Sequence, residues 1–203
     1  ETKKTSLTLI KAQIADHSTA RALWKSLGED YFIRYAPDEI AWHTQAITRA
    51  KKGKSLVIAI CEKTIRGGSE IFIYTEDRKN LFSRTTQTLD NLGLNVVDAR
   101  IVTSGNNFTL DTFIVLEKSG EMIRGKNRVL EIRNSLTEQL SNLNSPTRKM
   151  SRVRSSKLKH FPIATRVLFS NDESNSRTIM EVTTTDRPGV LSSIGMAMEF
   201  CNV

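Results

Sequence analysis

Glu70-Ile71-Phe72-Ile73-Tyr74-Thr75-Glu76-Asp77-Arg78-Lys79-Asn80-Leu81-Phe82-Ser83 is the stretch whose reading decides the fold. Its first half is β-branched and aromatic, which predicts a strand. Asp77-Arg78-Lys79-Asn80 breaks that pattern. Leu81, Phe82, Thr85, Leu89 and Leu92 then recur at helical spacing, with Asn80 placed as N-cap and Gly93 just past the end. Downstream, residues 94–103 read as a strand in which Val97, Ala99 and Ile101 alternate with Asp98 and Arg100. Gly105-Asn106-Asn107 marks a hairpin, and residues 108–117 return with Phe108, Leu110, Thr112, Ile114 and Leu116 on one face. Val129, Ile132, Leu136, Leu140 and Leu143 follow as a buried helical stripe ended by Ser145-Pro146, and residues 161–170 read as strand again. The order from residue 70 is β-α-β-β-α-β. That predicts an α+β unit, an antiparallel sheet with helices on one face.

Working upstream, residues 55–61 form a short apolar strand candidate that turns at Arg66-Gly67-Gly68. The first 53 residues read as helix. Ala20, Leu23, Trp24 and Leu27 share one face and Gly28 ends it; Pro37 opens a second helix whose stripe is Ile40, His43, Ile47 and Ala50, closed by Gly53. His43 on that stripe is expected as a satisfied, partly buried histidine packed beside Trp42 rather than a ligand.

The chain of 203 residues carries 30 basic and 22 acidic groups, a net charge of +8. Its 38% hydrophobic and 26% charged content is that of a folded chain, not a disordered one. The longest apolar run, residues 56–61, is far short of the roughly 20 residues that cross a bilayer. Cys61 and Cys201 form neither a disulfide framework nor a metal spacing, and the composition is that of a cytoplasmic protein. His17, His43 and His160 stand apart from one another, and no phosphate loop, nucleophile elbow or HExxH motif occurs, so no catalytic or metal-ligating residue is expected. Arg148, Lys149, Arg152, Arg154, Lys157 and Lys159 concentrate the positive charge with no acid among them. A solvated linker is the plain reading of that run; a nucleic-acid-binding segment over residues 148–159 is the alternative. An opening without Met and an abrupt close at Cys201-Asn202-Val203 read as the ends of a piece of something longer.

The sequence also repeats itself. Moving 109 positions on, Thr75, Asp77, Arg78 and Ser83 fall on Thr184, Asp186, Arg187 and Ser192. Ile71 and Ile73 meet Met180 and Val182, and Leu81, Phe82, Leu89 and Asp90 meet Val190, Leu191, Met198 and Glu199, without a gap. A period this long marks a duplicated domain. A strand, an Asp-Arg-Pro-Gly corner and a helix make an anion-receptive geometry. Free N–H groups at the helix start suit a carboxylate, and the Asp suits an ammonium group. A corner that merely shapes a turn is the competing reading.

Thr184-Thr185-Asp186-Arg187-Pro188-Gly189-Val190-Leu191 resembles the opening of the ACT domain family, small amino-acid-sensing modules of ferredoxin-like βαββαβ fold. Asp98-Ala99-Arg100-Ile101-Val102-Thr103-Ser104-Gly105 resembles their second strand and hairpin. Trp24, Asp30-Tyr31-Phe32, Ile40-Ala41-Trp42-His43, Arg66-Gly67-Gly68-Ser69-Glu70 and Asp111-Thr112-Phe113-Ile114-Val115-Leu116-Glu117 resemble, more specifically, the C-terminal ACT region of the uridylyltransferase/uridylyl-removing enzymes of nitrogen regulation. The resemblance implies a parent that moves UMP on and off the PII signal protein, uses magnesium, and senses glutamine through paired ACT modules or a dimer of them. It implies a helical HD-domain tail and connector at residues 1–53. A first ACT module with its lead-in hairpin and basic linker (146–160) would span 54–170, and the start of a second 171–203. It implies glutamine contacts at Asp77, Arg78, Lys79 and Asn80 in the first corner, where Lys79 and Asn80 replace Pro and Gly. In the second corner it implies Asp186, Arg187, Pro188 and Gly189, and at a seam between modules Asp98, Arg100 and Thr103. It implies no catalytic residue in this stretch.

Overall fold

The computed structural model of the chain describes residues 2–11, 17–50, 55–142, 163–175, 177–187 and 189–201. Four helices come first: α1 (Thr2–Lys11), α2 (His17–Ser26), α3 (Glu29–Arg34) and α4 (Pro37–Arg49). Pro37 sits in the first turn of α4, where its missing N–H costs nothing, and Glu39 Oε2 accepts from the Ala36 N–H at 2.8 Å. Then follow β1 (Leu56–Cys61), β2 (Ser69–Glu76), α5 (Leu81–Asn91), β3 (Leu94–Thr103), β4 (Phe108–Glu117) and α6 (Lys126–Ser141). A second set, β5 (Arg166–Asp172), β6 (Arg177–Thr183) and α7 (Val190–Phe200), closes the described chain. The boundaries read from sequence for β3 and β4 are those observed. Gly53, Ser145, Pro146 and the basic run 148–159 lie outside the described residues.

The first sheet has four antiparallel strands in the order β1-β2-β4-β3, so the expected α+β architecture of the ACT-like, ferredoxin type holds. One detail differs. The strand expected to close this sheet from residues 161–170 does not join it: β5 pairs with β6, and β1 takes the edge beside β2. Each pair is joined by a short connection, and local hairpin closure is entropically cheaper than a return from beyond α6. The repeat therefore extends upstream, since β5 stands to β6 as β1 stands to β2.

Alternation along β2 and β4 fills two cores. Ile71, Ile73, Phe113 and Val115 face α5 and α6, where Leu81, Leu89, Ile132, Leu136 and Leu140 cover them. Phe72, Leu110 and Val102 face the other way and are covered by Trp24, Leu27, Tyr31, Phe32 and Ile40. The helical connector thus blankets the face that the sequence reading left open. Sheets covered on both faces read as near-continuous apolar runs, which is what residues 113–116 are. Arg177 of β6 also reaches Asp30 of α3 at 2.8 Å.

Asn80 adopts φ 66° and ψ 7°, a left-handed conformation that asparagine tolerates and glycine takes without cost. Asn80→Gly is expected to stabilise the chain by up to ~1 kcal/mol, and Asn80→Val to destabilise it by ~1–2 kcal/mol. Urea denaturation checks both.

Candidate functional site

The two aspartate-led corners are the same object in space. Asn80 precedes α5 and Gly189 precedes α7, at φ 66° and 79°. In the first, Leu81 N–H donates to Arg78 C=O at 3.3 Å and Arg84 N–H to Asn80 C=O at 3.0 Å; in the second, Val190 N–H donates to Arg187 C=O at 3.2 Å and Ser193 N–H to Gly189 C=O at 2.9 Å. Ser83 and Ser192 hydroxyls donate to the Asn80 and Gly189 carbonyls at 3.2 and 3.1 Å. Every equivalence is 109 positions apart. The Asn80 side chain does not bond the first turn and Gly189 has none to offer, so α5 and α7 both start without a side-chain cap.

The helices behind these corners pack on each other head to tail. Ser83 Oγ, near the start of α5, also lies 3.0 Å from Glu199 Oε1 near the end of α7, so its one proton is shared between that carboxylate and the Asn80 carbonyl. At the other end Asp90 Oδ2 lies 3.9 Å from where a Gly189 Cβ would be. Between them Gly195 lets the backbones approach: a Cβ there would meet Phe82 Cδ1 at 2.9 Å and Ser83 Cα at 3.3 Å. The pairing relates Ser83 to Ser192 and Glu199 to Asp90, an approximate two-fold between the modules.

A cleft of about 440 Å³ opens at this seam. The second corner supplies Asp186, Arg187 and Gly189; the first module supplies Asp90, Asn95 and Lys118. Two carboxylates, two cations and the start of α7 face one space. That charge set matches a zwitterion, with its carboxylate toward the helix start and the cations and its ammonium toward the acids.

The other expected site residues lie elsewhere. Asp77, Arg78, Lys79 and Asn80 are exposed outside this cleft; the Asp77 N–H donates to Asn107 C=O at 2.9 Å, and Arg78 pairs with Glu76 at 2.7 Å. Asp98 and Arg100 turn toward the connector. Asp98 binds the Arg66 guanidinium, and Arg100 lies 5.4 Å from the Tyr35 ring centroid. Thr103 is exposed at the end of β3, and Pro188 lies outside the described residues. The strand enters the cleft instead through Leu94, Asn95 and Val96. Asp90, Asn95 and Lys118 were missed as site residues. The acid shared by Asp90 and Glu199 in the repeat was the one available signal.

Below the first corner, Asp111 of β4 is buried and accepts from the Thr109 hydroxyl. Burial pushes its carboxyl up to about 7, with Asp77 adding to the effect. Among the described residues no three His, Cys, Asp or Glu stand together as a metal site, and no helix is long and apolar enough to cross a membrane.

A four-stranded antiparallel sheet with two helices on one face, repeated in part by β5, β6 and α7, defines the ACT-like class of ferredoxin-type modules. The family described as Uridylyltransferase GlnD fifth domain matches residues 1–46, the connector helices. Along most of its length the chain is similar to bifunctional uridylyltransferase/uridylyl-removing enzymes. It is 42% identical to that of Methylococcus capsulatus over 87% of this chain and 20% of the relative. It is 40% identical to that of Pseudomonas savastanoi pv. phaseolicola, and 41% to that of Azotobacter vinelandii, over 96% of this chain and 22% of each relative. Its homologues at this level are enzymes of that name, and the chain spans about a fifth of their length. No solved structure matches the chain. The nucleic-acid reading of residues 148–159 finds no support in these relatives, whose names describe uridylyl transfer and removal.

Proposed function

We propose that this chain is the C-terminal, glutamine-sensing ACT region of a cytoplasmic enzyme that uridylylates and deuridylylates the PII signal protein. The active sites and their magnesium would belong to the parent outside this stretch. One observation carries the sensing role: the second corner opens into a cleft whose far wall is the first module. A ligand seated there touches both modules at once, so its binding energy depends on how they are arranged. Glutamine that prefers one arrangement biases whatever is attached to it. A coupling of ~1–3 kcal/mol would change the balance of transfer and removal roughly 5–150-fold.

Calorimetric titration of the chain with glutamine tests this, with glutamate as control. Saturable heat with glutamine is the expected result. Asp186→Ala, which removes the corner carboxylate while leaving the Gly189 backbone, is expected to weaken affinity at least ~10-fold, about 1.4 kcal/mol. Equal heats for both ligands, or an unchanged affinity in Asp186→Ala, would remove the proposal.

A further inference from the structure

The two corners are built alike but filled differently. At the first, Glu199 reaches across from the last turn of α7, and the Ser83 hydroxyl shares its proton between that carboxylate, at 3.0 Å, and the Asn80 C=O. The start of α5 has no side-chain cap of its own, and its free N–H groups and dipole favour an anion beside it. The neighbouring module supplies that anion. At the second corner Ser192 stands in the place of Ser83 and Asp90 in that of Glu199. There the Ser192 hydroxyl donates to the Gly189 C=O at 3.1 Å, and among the described residues no bond joins it to Asp90. Asp90 lines the cleft instead.

Two differences within the repeat account for this. Asp90 is one methylene shorter than Glu199, about 1.5 Å of reach. Position 86, the equivalent of Gly195, is threonine. At the first corner the helices leave no room for a Cβ, since one at Gly195 would meet Phe82 Cδ1 at 2.9 Å and Ser83 Cα at 3.3 Å. The equivalents of Phe82 and Ser83 are Leu191 and Ser192, and Thr86 is accommodated with them in the wall of the cleft. An approach as close as that at Gly195 would leave no space for a branched side chain, so the backbones stand further apart at this end of the seam. The shorter acid does not span the wider gap, and the cleft is what remains.

We propose that Thr86 and Asp90 decide which of the two corners takes a ligand. Thr86 spaces the helices and Asp90 stops short of Ser192, so the second corner receives its carboxylate from a free zwitterion. Glu199 keeps the first corner for the chain itself. The proposal rests on the effector reading of the cleft and adds to it that this stretch takes one ligand, not two, and that the length of one acid sets which corner is open.

Calorimetry with glutamine as probe tests this. The unsubstituted chain should bind one glutamine. Asp90→Glu keeps the charge and lengthens the side chain, and it should weaken binding at least ~10-fold by filling the cleft as Glu199 fills the first corner. Asp90→Ala removes the acid but opens the space, so its loss should be the smaller of the two. That order separates filling from the loss of a contact, because a plain ligand contact would suffer more from alanine than from glutamate. Glu199→Asp, outside the cleft, should leave the affinity within about threefold. Urea midpoints confirm that each variant is folded, and that of Glu199→Asp should fall as the Ser83 bond is lost. Three results overturn the proposal: two glutamines bound by the unsubstituted chain, binding in folded Asp90→Glu as tight as or tighter than in Asp90→Ala, or loss of heat in folded Glu199→Asp. Absence of heat in the unsubstituted chain removes the effector reading itself, and the selection with it.

Discussion

A chain carrying His43→Leu is expected to lose about 3–5 kcal/mol of stability, read as a lower midpoint in urea. His43 is fully buried between α4 and the sheet, its ring stacked on Phe72 with centroids 4.3 Å apart and planes 10° from parallel. Both ring nitrogens are used: Nε2 is 2.8 Å from Glu70 Oε1, and Nδ1 is 3.0 Å from the Tyr31 hydroxyl. Burial holds the Tyr31 phenol well above its ordinary range, so it keeps its proton and donates it to Nδ1. Nε2–H then donates to the Glu70 carboxylate, an assignment that satisfies the whole chain of bonds. Leucine fills the space but leaves Glu70, equally buried, as a charge without its partner. The double variant His43→Leu/Glu70→Leu separates the two causes. Replacing a buried polar pair by apolar side chains is often close to neutral, so the double variant should recover most of the loss. Losses that simply add would show that the two side chains act independently.

The same pair shows what the sequence could carry. The helical stripe predicted that His43 points inward, and a satisfied histidine was the expected outcome. Its partner, 27 residues away on another element, had no local mark. Corner geometry was more legible, because the repeat sampled it twice: Asn80 at the position of Gly189 preserves a left-handed residue, which spelling alone had made into a departure. β3 was legible in extent and misleading in facing. Its alternation set Val97, Ala99 and Ile101 against Asp98 and Arg100, and the two charges were expected at a seam between modules. The bulge at Val97 and the polar wall made by Glu39, Arg66 and the Arg34 carbonyl invert part of that pattern, leaving Val97 and Ile101 exposed while the charges are engaged. Asp90, Asn95 and Lys118 come from α5, β3 and the turn after β4, at spacings no motif records. The closing strand of the sheet was likewise a matter of partner choice, which periodicity does not encode.

Asp111→Asn should raise stability by about 3–4 kcal/mol at pH 8 and by almost nothing at pH 4. Asp111 lies at the centre of β4, opposite Ile73 on one side and Ile101 on the other, and is 1% exposed. The Thr109 hydroxyl favours its ionised form, but burial outweighs this and Asp77 adds repulsion, so its carboxyl titrates at about 7 against an ordinary 3.8. Between those values the native chain holds a proton that the unfolded chain has released. Stability therefore falls as pH rises through that window and levels off above about 7. The displacement is equivalent to about 4 kcal/mol, the cost of keeping this carboxylate ionised in the fold. Asparagine keeps an oxygen for the Thr109 hydroxyl and the same shape, and it has no charge to bury. Unfolding curves of parent and variant at pH 4, 6 and 8 should diverge steadily, since every other carboxylate is common to both. A constant offset between the curves would mean that Asp111 does not titrate there. Divergence would place a destabilising acid directly beneath the first corner, where a more stable residue of equal size would fit. Natural chains retain such acids where function opposes the gain. If asparagine also changes the glutamine heat, the first corner communicates with the cleft; if it changes stability alone, the strain belongs to the first module by itself.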